Sequence, residues 1–363
     1  MTIVQVPRRF VRAAWGGPET VVLETGKRLR AMGHDVSVLC PNVLADSNEE
    51  TISGVPVQRV PYNYPYWFLK PDARAALDRR GGNLFSFALL RRLLARPTLD
   101  IIHAHAANRL GGICRYAARR RGIPYVITVH SGDVTALTTM PSAGVSPTRG
   151  AIEWGRLLGL WVGARRALTD AAAIICVGAQ QQQALQQRFP HKHVVFILNG
   201  VEPRDFADGD GVGFRATYGI PENAWVVLTV GRIDPEKNQL CAVQAMAHLA
   251  LQHPAAFLLL IGHVSDEAYA RQVRAAATAA GLEGRCLIIP GLGSGSRTLR
   301  DAYHAANAFL LPSNDEPFGL VALEAWAAGL PVVASRVGGI PALIQDQVDG
   351  LLCDADDVEQ FAT

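Results

Sequence analysis

AFLLPSNDEPFGLVALEAWAAGLPVVAS, residues 308–335, reads as strand, loop, helix and strand in succession. Its first and last segments are short, continuous apolar runs, as expected of parallel strands covered on both faces. Between them, residues 320–328 form a helix that carries one charge, Glu324. Such a β-α-β unit implies a parallel sheet, and the same alternation extends outward from it. WVVLTVGR, AFLLLIG and RCLIIPG precede it and GLLC follows; TIVQV, DVSVLC, VPVQRV, DIIHAHA, PYVITVH, AAIICVG and HVVFIL repeat the pattern in the first half. Helical spacing fills the gaps. Val22, Gly26, Leu29 and Met32 share a face after Glu19, as do Leu240, Val243, Ala247 and Leu251 after Pro235. The expected fold is α/β, with two facing Rossmann-like domains of parallel sheet separated by a cleft. Residues 1–200 make one domain and 201–363 the other, with the Gly- and Asp-rich residues 199–213 as the hinge.

Bulk properties agree with two domains. A chain of 363 residues exceeds the roughly 150 typical of one domain, and 49% hydrophobic residues suffice for two cores. No apolar run approaches the ~18 residues of a membrane-spanning helix, and MTIVQVPRRF lacks the pattern of a secretory signal. Six dispersed cysteines without C-x-x-C spacing read as reduced core thiols, which points to a cytoplasmic enzyme. The net charge of +3 conceals an asymmetry. Residues 1–200 carry 25 Lys+Arg against 12 Asp+Glu (+13), and residues 201–363 carry 10 against 20 (−10). The clusters Arg79-Arg80, Arg91-Arg92, Arg119-Arg120-Arg121 and Arg165-Arg166 are either solvated surface or an attraction for an anionic membrane or acceptor.

In open parallel sheets, ligands bind beyond the carboxyl ends of the strands, so polar residues there are the candidates. Gly16-Gly17 before a helix allows close backbone approach to an anion, or is a tight structural turn. In Gly231-Arg232-Ile233-Asp234-Pro235-Glu236-Lys237-Asn238, Asp234 reads as an N-cap with Pro235 at the first helical position, which puts Lys237 in the first turn. A cation is disfavoured there, so Arg232 and Lys237 together suggest a diphosphate; the alternative is a surface ion pair. Glu324 is costly to bury in so apolar a helix without partners, and vicinal ribose hydroxyls would satisfy it. Glu316 lies just before that helix, in reach of sugar hydroxyls, and the amides of Phe318, Gly319 and Leu320 could face sugar and phosphate. His130, in His130-Ser131-Gly132-Asp133 after PYVITVH, is either structural or a donor contact. His103 and His105 lack a third ligand and read as packing, so no metal is expected. GLGSGS (residues 291–296) is not G-x-G-x-x-G, which weakens a nicotinamide reading.

On Gly16-Gly17-Pro18-Glu19, His130, Asn199-Gly200-Val201, Gly231-Arg232 with Lys237, and Glu316 with Glu324, the chain resembles glycosyltransferase family 4, the retaining group with the GT-B fold. The Glu-Pro-Phe-Gly motif with its second glutamate is the specific part. The resemblance implies transfer of a sugar from a UDP- or GDP-linked donor to a hydroxyl of a glycan, lipid-linked glycan or small metabolite. It implies no metal and no protein nucleophile, with a donor phosphate oxygen assisting deprotonation of the acceptor. Arg232 and Lys237 would bind the pyrophosphate, Glu316 the sugar and Glu324 the ribose. Phe318, Gly319 and Leu320 would hold sugar and phosphate through amides, His130 would approach the reacting centre, and Gly16 and Gly17 would line the cleft. Members of the family continue past GLLC through several more helices, so residues 201–363 are expected to represent a domain short of its last ones. Competing readings are a sugar-nucleotide epimerase, a sucrose- or trehalose-phosphate-type synthase, a nucleotide-sugar-binding protein without turnover, and a nicotinamide oxidoreductase.

Overall fold

The computed structural model describes residues 1–130, 150–292 and 296–362, and the chain divides into two compact units, Met1–Leu198 and Asn199–Thr363. The first contains β1 (Thr2–Val6), β2 (Asp35–Pro41), β3 (Glu49–Ile52), β4 (Val55–Val60), β5 (Tyr66–Trp67), β6 (Ile101–Ala104), β7 (Tyr125–Val129), β8 (Ile152–Glu153), β9 (Ala173–Cys176) and β10 (Val194–Phe196). Eight of these form one sheet in the order β10-β9-β7-β6-β1-β2-β4-β3, while β5 and β8 pair separately. The large sheet is parallel except for β3, which pairs antiparallel with β4. Ser53 and Gly54, both at positive φ, form the two-residue turn between them, matching the twist that hairpins favour.

Strand alternation divides the core between the two faces of this sheet. Val4, Val6 and Leu39 belong to one apolar cluster, and Val38, Cys40, Val55 and Val57 to another. Each such side chain contributes about 1.5–3 kcal/mol when fully buried. Two predicted helix faces overreach at their ends. Met32, the C-cap of the helix Gly17–Ala31, is exposed, and so is Leu251 in the last turn of Gln239–Gln252.

The second unit holds β11 (Trp225–Val230), β12 (Ala256–Ile261), β13 (Cys286–Ile289), β14 (Ala308–Leu311), β15 (Val332–Ser335) and β16 (Leu351–Cys353). All are parallel, in the order β13-β12-β11-β14-β15-β16. From β11 the chain winds outward through β12 and β13, then returns to the opposite side of β11 as β14. The winding direction therefore reverses between β11 and β14. In open parallel sheets the carboxyl ends of the strands flanking such a reversal are where ligands bind. Among the described residues, no helix is long and apolar enough to cross a membrane.

Candidate active site

The loops that leave β11 and β14 at the switch point are zipped together. Asn314 donates its backbone N–H to the Glu236 carbonyl (2.8 Å) and its side-chain amide to that of Pro235 (3.0 Å). Asn238 returns a bond to the Asn314 side chain at 3.2 Å. This seam brings Lys237 from one loop to Glu316 of the other, with Nζ 2.6 Å from Oε2. Their side chains are only 16% and 12% exposed, so the pair is largely shielded from water. Residues separated by 79 positions thus form one polar centre.

The structure corrects the local reading around Lys237. The helix starts at Gln239, and Asn238, at φ 49°, breaks the backbone before it. Asp234 caps a turn instead, accepting from the Lys237 N–H through its carbonyl (3.1 Å) and its Oδ1 (3.2 Å). Lys237 is therefore in the turn ahead of the helix rather than in its first turn. Asp234 also accepts from the Ser265 hydroxyl at 2.9 Å and pairs with Arg232 at 3.1 Å. Arg232 reaches Glu236 at 2.6 Å as well, so its guanidinium is tied to its own loop while Lys237 spans to the other.

Glu316 organises the next segment. Its Oε1 accepts from the Gly319 N–H at 3.2 Å, which occupies one of the three amides singled out in the sequence. Phe318 and Leu320 beside it are buried. The loop after β15 lies flush against this stretch. Gly339 donates to the Glu316 carbonyl at 2.8 Å, and a Cβ on Gly338, which sits at φ 55°, would fall 2.2 Å from that same oxygen. Gly338-Gly339 was missed by sequence reasoning, although a glycine pair behind a strand is a visible sign of close backbone approach. At the neighbouring ends of β14 and β15, the hydroxyls of Ser313 and Ser335 are buried without a hydrogen-bond partner. Leaving a hydroxyl so costs ~1–3 kcal/mol.

Glu324 lies one turn into the helix Leu320–Ala327 and is 4% exposed. Its partner is the Tyr303 hydroxyl, which donates to Oε2 at 2.7 Å. Burial raises the Glu324 carboxyl to about 7, offset in part by that bond. Burial and the adjacent carboxylate push the Tyr303 phenol well above its ordinary value, so it remains a donor. Tyr303 is a partner that sequence could not supply, because the pairing depends on how two helices pack.

His130, Gly16 and Gly17 belong to the first unit. Gly16 precedes the helix Gly17–Ala31, and its N–H donates to Glu19 Oε2 at 3.1 Å, while Arg9 holds the other carboxylate oxygen at 3.2 Å. His130, just past β7, meets His105, just past β6, with Nε2 to Nδ1 at 2.9 Å. His105 Nε2 faces Gln5 Oε1 at 3.1 Å, and His103 Nε2 lies 2.7 Å from the Thr128 hydroxyl. Burial lowers His103 and His130 to about 4 and His105 well below its ordinary value, with neighbouring imidazoles adding to the effect on His103 and His105. Ser131, Gly132 and Asp133 lie outside the described residues. Among the described residues, no group of three or more His, Cys, Asp or Glu side chains is arranged to hold a metal ion.

Two successive Rossmann-like units, with polar groups gathered at a switch point of the second, define a two-domain α/β protein of the kind that binds ligands at strand ends. Residues 16–200 match the family described as glycosyl transferase 4-like domain, and residues 214–363 match glycosyl transferases group 1. The chain is 33% identical to the D-inositol 3-phosphate glycosyltransferase of Actinosynnema mirum, over 93% of this chain and 80% of the relative. Identity to the enzyme of the same name from Acidothermus cellulolyticus is 31%, over 96% and 76%. Among solved structures, Anabaena HepE in complex with UDP and glucose superimposes with a TM-score of 0.72 at 19% identity, covering 100% of this chain and 88% of that one. That likeness shows the shared GT-B fold. The chain belongs to the glycosyl transferases, as a 4-like domain followed by a group 1 domain, and it is an enzyme of that class.

Proposed function

We propose that this enzyme is a retaining family 4 glycosyltransferase of the cytoplasm that moves a sugar from a nucleoside-diphosphate sugar to a hydroxyl acceptor. The observation that carries this reading is the Lys237–Glu316 pair at 2.6 Å at the switch point. It sets a cation for phosphate beside an acceptor for sugar hydroxyls. Lys237 and Arg232 neutralise the departing diphosphate, Glu316 orients the sugar while holding the Gly319 N–H, and the Phe318 and Leu320 amides support sugar and phosphate. Glu324 takes the ribose hydroxyls, His130 acts toward the sugar, and Gly16 and Gly17 admit the donor closely. The reaction needs neither metal nor protein nucleophile, since a donor phosphate oxygen assists loss of the acceptor proton. HepE is described with UDP and glucose, which favours a UDP-sugar, with GDP-sugars next. The relatives named for D-inositol 3-phosphate favour a small phosphorylated polyol among the acceptor classes.

A thermal-shift screen over UDP-, GDP- and ADP-sugars tests the donor. One of them at 100-fold excess over Kd should raise the unfolding midpoint by about 5 °C, and Lys237→Ala should remove that rise. No shift with any donor, or an equal shift in the variant, overturns the assignment.

A second reading, peripheral contact with an anionic membrane, is favoured by the helix Gly155–Val162. Its inner face includes Val162, buried in the core, and Leu158, packed against the same cluster. Gly155 and Gly159 face inward, while Leu157 (71% exposed), Leu160 (63%) and Trp161 (48%) face outward. Exposed Trp67 and Ile152, paired across β5 and β8, extend this apolar surface, and Trp67 stacks on Trp154. Arg156 and Arg166 border the helix with side chains about two-thirds exposed. Apolar residues flanked by arginines suit the headgroup region of a bilayer. Binding to vesicles of phosphatidylcholine should appear when phosphatidylglycerol is added, weaken with salt, and fall at least ~10-fold in Leu157→Ser/Leu160→Ser. Indifference to acidic lipid and salt sinks this reading.

A further inference from the structure

The buried chain of polar groups behind His130 has a direction, and the direction has a chemical consequence. Gln5 is fully buried in β1 and donates its Nε2 to the Val22 carbonyl at 3.0 Å. A carbonyl only accepts, so the amide orientation is fixed and Gln5 Oε1 must face His105. An amide oxygen likewise only accepts, so His105 Nε2, 3.1 Å away, carries the proton. A neutral imidazole with Nε2 protonated has a bare Nδ1. That Nδ1 lies 2.9 Å from His130 Nε2, which therefore donates to it. Neutral His130 then has its remaining lone pair on Nδ1.

We infer that Gln5 and His105 are positioning residues that fix His130 in the Nε2-protonated form, so that its free Nδ1 is a hydrogen-bond acceptor for a hydroxyl of the donor sugar. A phosphate oxygen, which only accepts at neutral pH, is the wrong partner for that nitrogen; a sugar hydroxyl is the right one. The ring is held in orientation as well as in tautomer, because the His105 and His130 planes are inclined by only 18° with centroids 5.2 Å apart, the alignment of an in-plane hydrogen bond. Burial of all three histidines disfavours the imidazolium, which would turn Nδ1 into a donor. His103 of β6, two residues before His105, reinforces the arrangement, its ring 4.2 Å from that of His105 and its Nε2 engaged with Thr128 of β7. The part concerning sugar rests on the role proposed for His130; the part concerning protons does not.

Nuclear magnetic resonance of the full chain labelled with 15N-histidine separates the two. Wild type should show a through-hydrogen-bond 15N–15N coupling between His130 Nε2 and His105 Nδ1, with both rings in the Nε2–H form. A protonated Nδ1 on His130, or no coupling, overturns the relay. His105→Leu should abolish the slowly exchanging His130 N–H, and His105→Asn, which keeps an acceptor oxygen near the position of Nδ1, should retain it. In titrations with UDP-glucose and with UDP, His105→Leu should weaken UDP-glucose about tenfold and leave UDP unchanged, with His105→Asn closer to wild type. Equal losses for both ligands, or none for either, refute the positioning role. A wild type that shows the coupling but binds none of the UDP-, GDP- or ADP-sugars refutes the donor reading while the tautomer assignment stands.

Discussion

Lys237→Ala should lower kcat/KM with the nucleotide sugar by about 10²–10³-fold while the unfolding midpoint moves little. The size follows from what a preorganised cation supplies to a leaving diphosphate, about 2.7–4 kcal/mol when one such group is removed from a shielded site. Lys237 is in such a site, with 16% of its side chain exposed and its charge 2.6 Å from Glu316. The stability cost should stay small because Glu316 keeps the Gly319 N–H, and its own side chain retains some contact with water. Lys237→Arg should recover only part of the loss, since a planar fork does not superimpose on a compact ammonium. Arg232→Ala should cost less, about tenfold, because Asp234 and Glu236 already hold that guanidinium and compensate part of its charge. Steady-state kinetics on purified variants, with thermal melts alongside, decide the matter. A Lys237→Ala enzyme within threefold of wild type would reduce the pair to a structural ion bridge.

The strands were legible because their sequences are nearly continuous runs of branched apolar residues. WVVLTV and AFLLLI are the continuous apolar runs expected of parallel strands covered on both faces. The short strands Glu49–Ile52, Tyr66–Trp67 and Ile152–Glu153 escaped notice because they are only two to four residues long, and the first and last mix polar and apolar residues. Their pairing is decided by a turn and by register rather than by composition. At the candidate site, Glu324 stood out as an isolated carboxylate in an apolar helix, Glu316 by its place just before that helix, and Lys237 as a cation near a helix start. Their partners did not. Tyr303 lies on a separate helix, where nothing in the sequence links it to Glu324, yet its hydroxyl is the hydrogen-bond partner of that carboxylate. His105 looked like packing, yet it holds His130. Both pairings are set by the way separate elements lie against one another, and local spacing carries no record of that. The misplacement of Lys237 has a similar origin. Asp-Pro-Glu has the composition of a helix start, and Asn238 at positive φ diverts it into a turn.

Glu324→Gln should make the unliganded protein more stable at pH 8 and a poorer binder of its donor. The carboxyl of Glu324 is raised to about 7 in the folded chain by burial, against an ordinary value of 4.5. Between those values the folded state holds a proton that the unfolded state has released. Stability therefore falls as pH rises through that window, and is fully retained below it. Above pH 7 the accumulated penalty is on the order of 3 kcal/mol. Glutamine keeps an acceptor for Tyr303 and never ionises, so it escapes the penalty, and its unfolding midpoint at pH 8 should exceed that of wild type by about 5 °C or more. At pH 5 the gap should shrink to below about 1 kcal/mol. Donor affinity should move the other way. A vicinal diol donates two hydrogen bonds, and an ionised carboxylate accepts both better than a neutral acid can. Wild-type affinity should accordingly rise from pH 6 to pH 8, with proton release in calorimetry. Glu324→Gln should bind about 10–100-fold more weakly, with no dependence on pH across that range. Opposed changes in stability and binding mark a residue kept for function at the expense of the fold. A variant that is less stable at pH 8 and binds as well as wild type would make Glu324 a core residue satisfied by Tyr303 and nothing more.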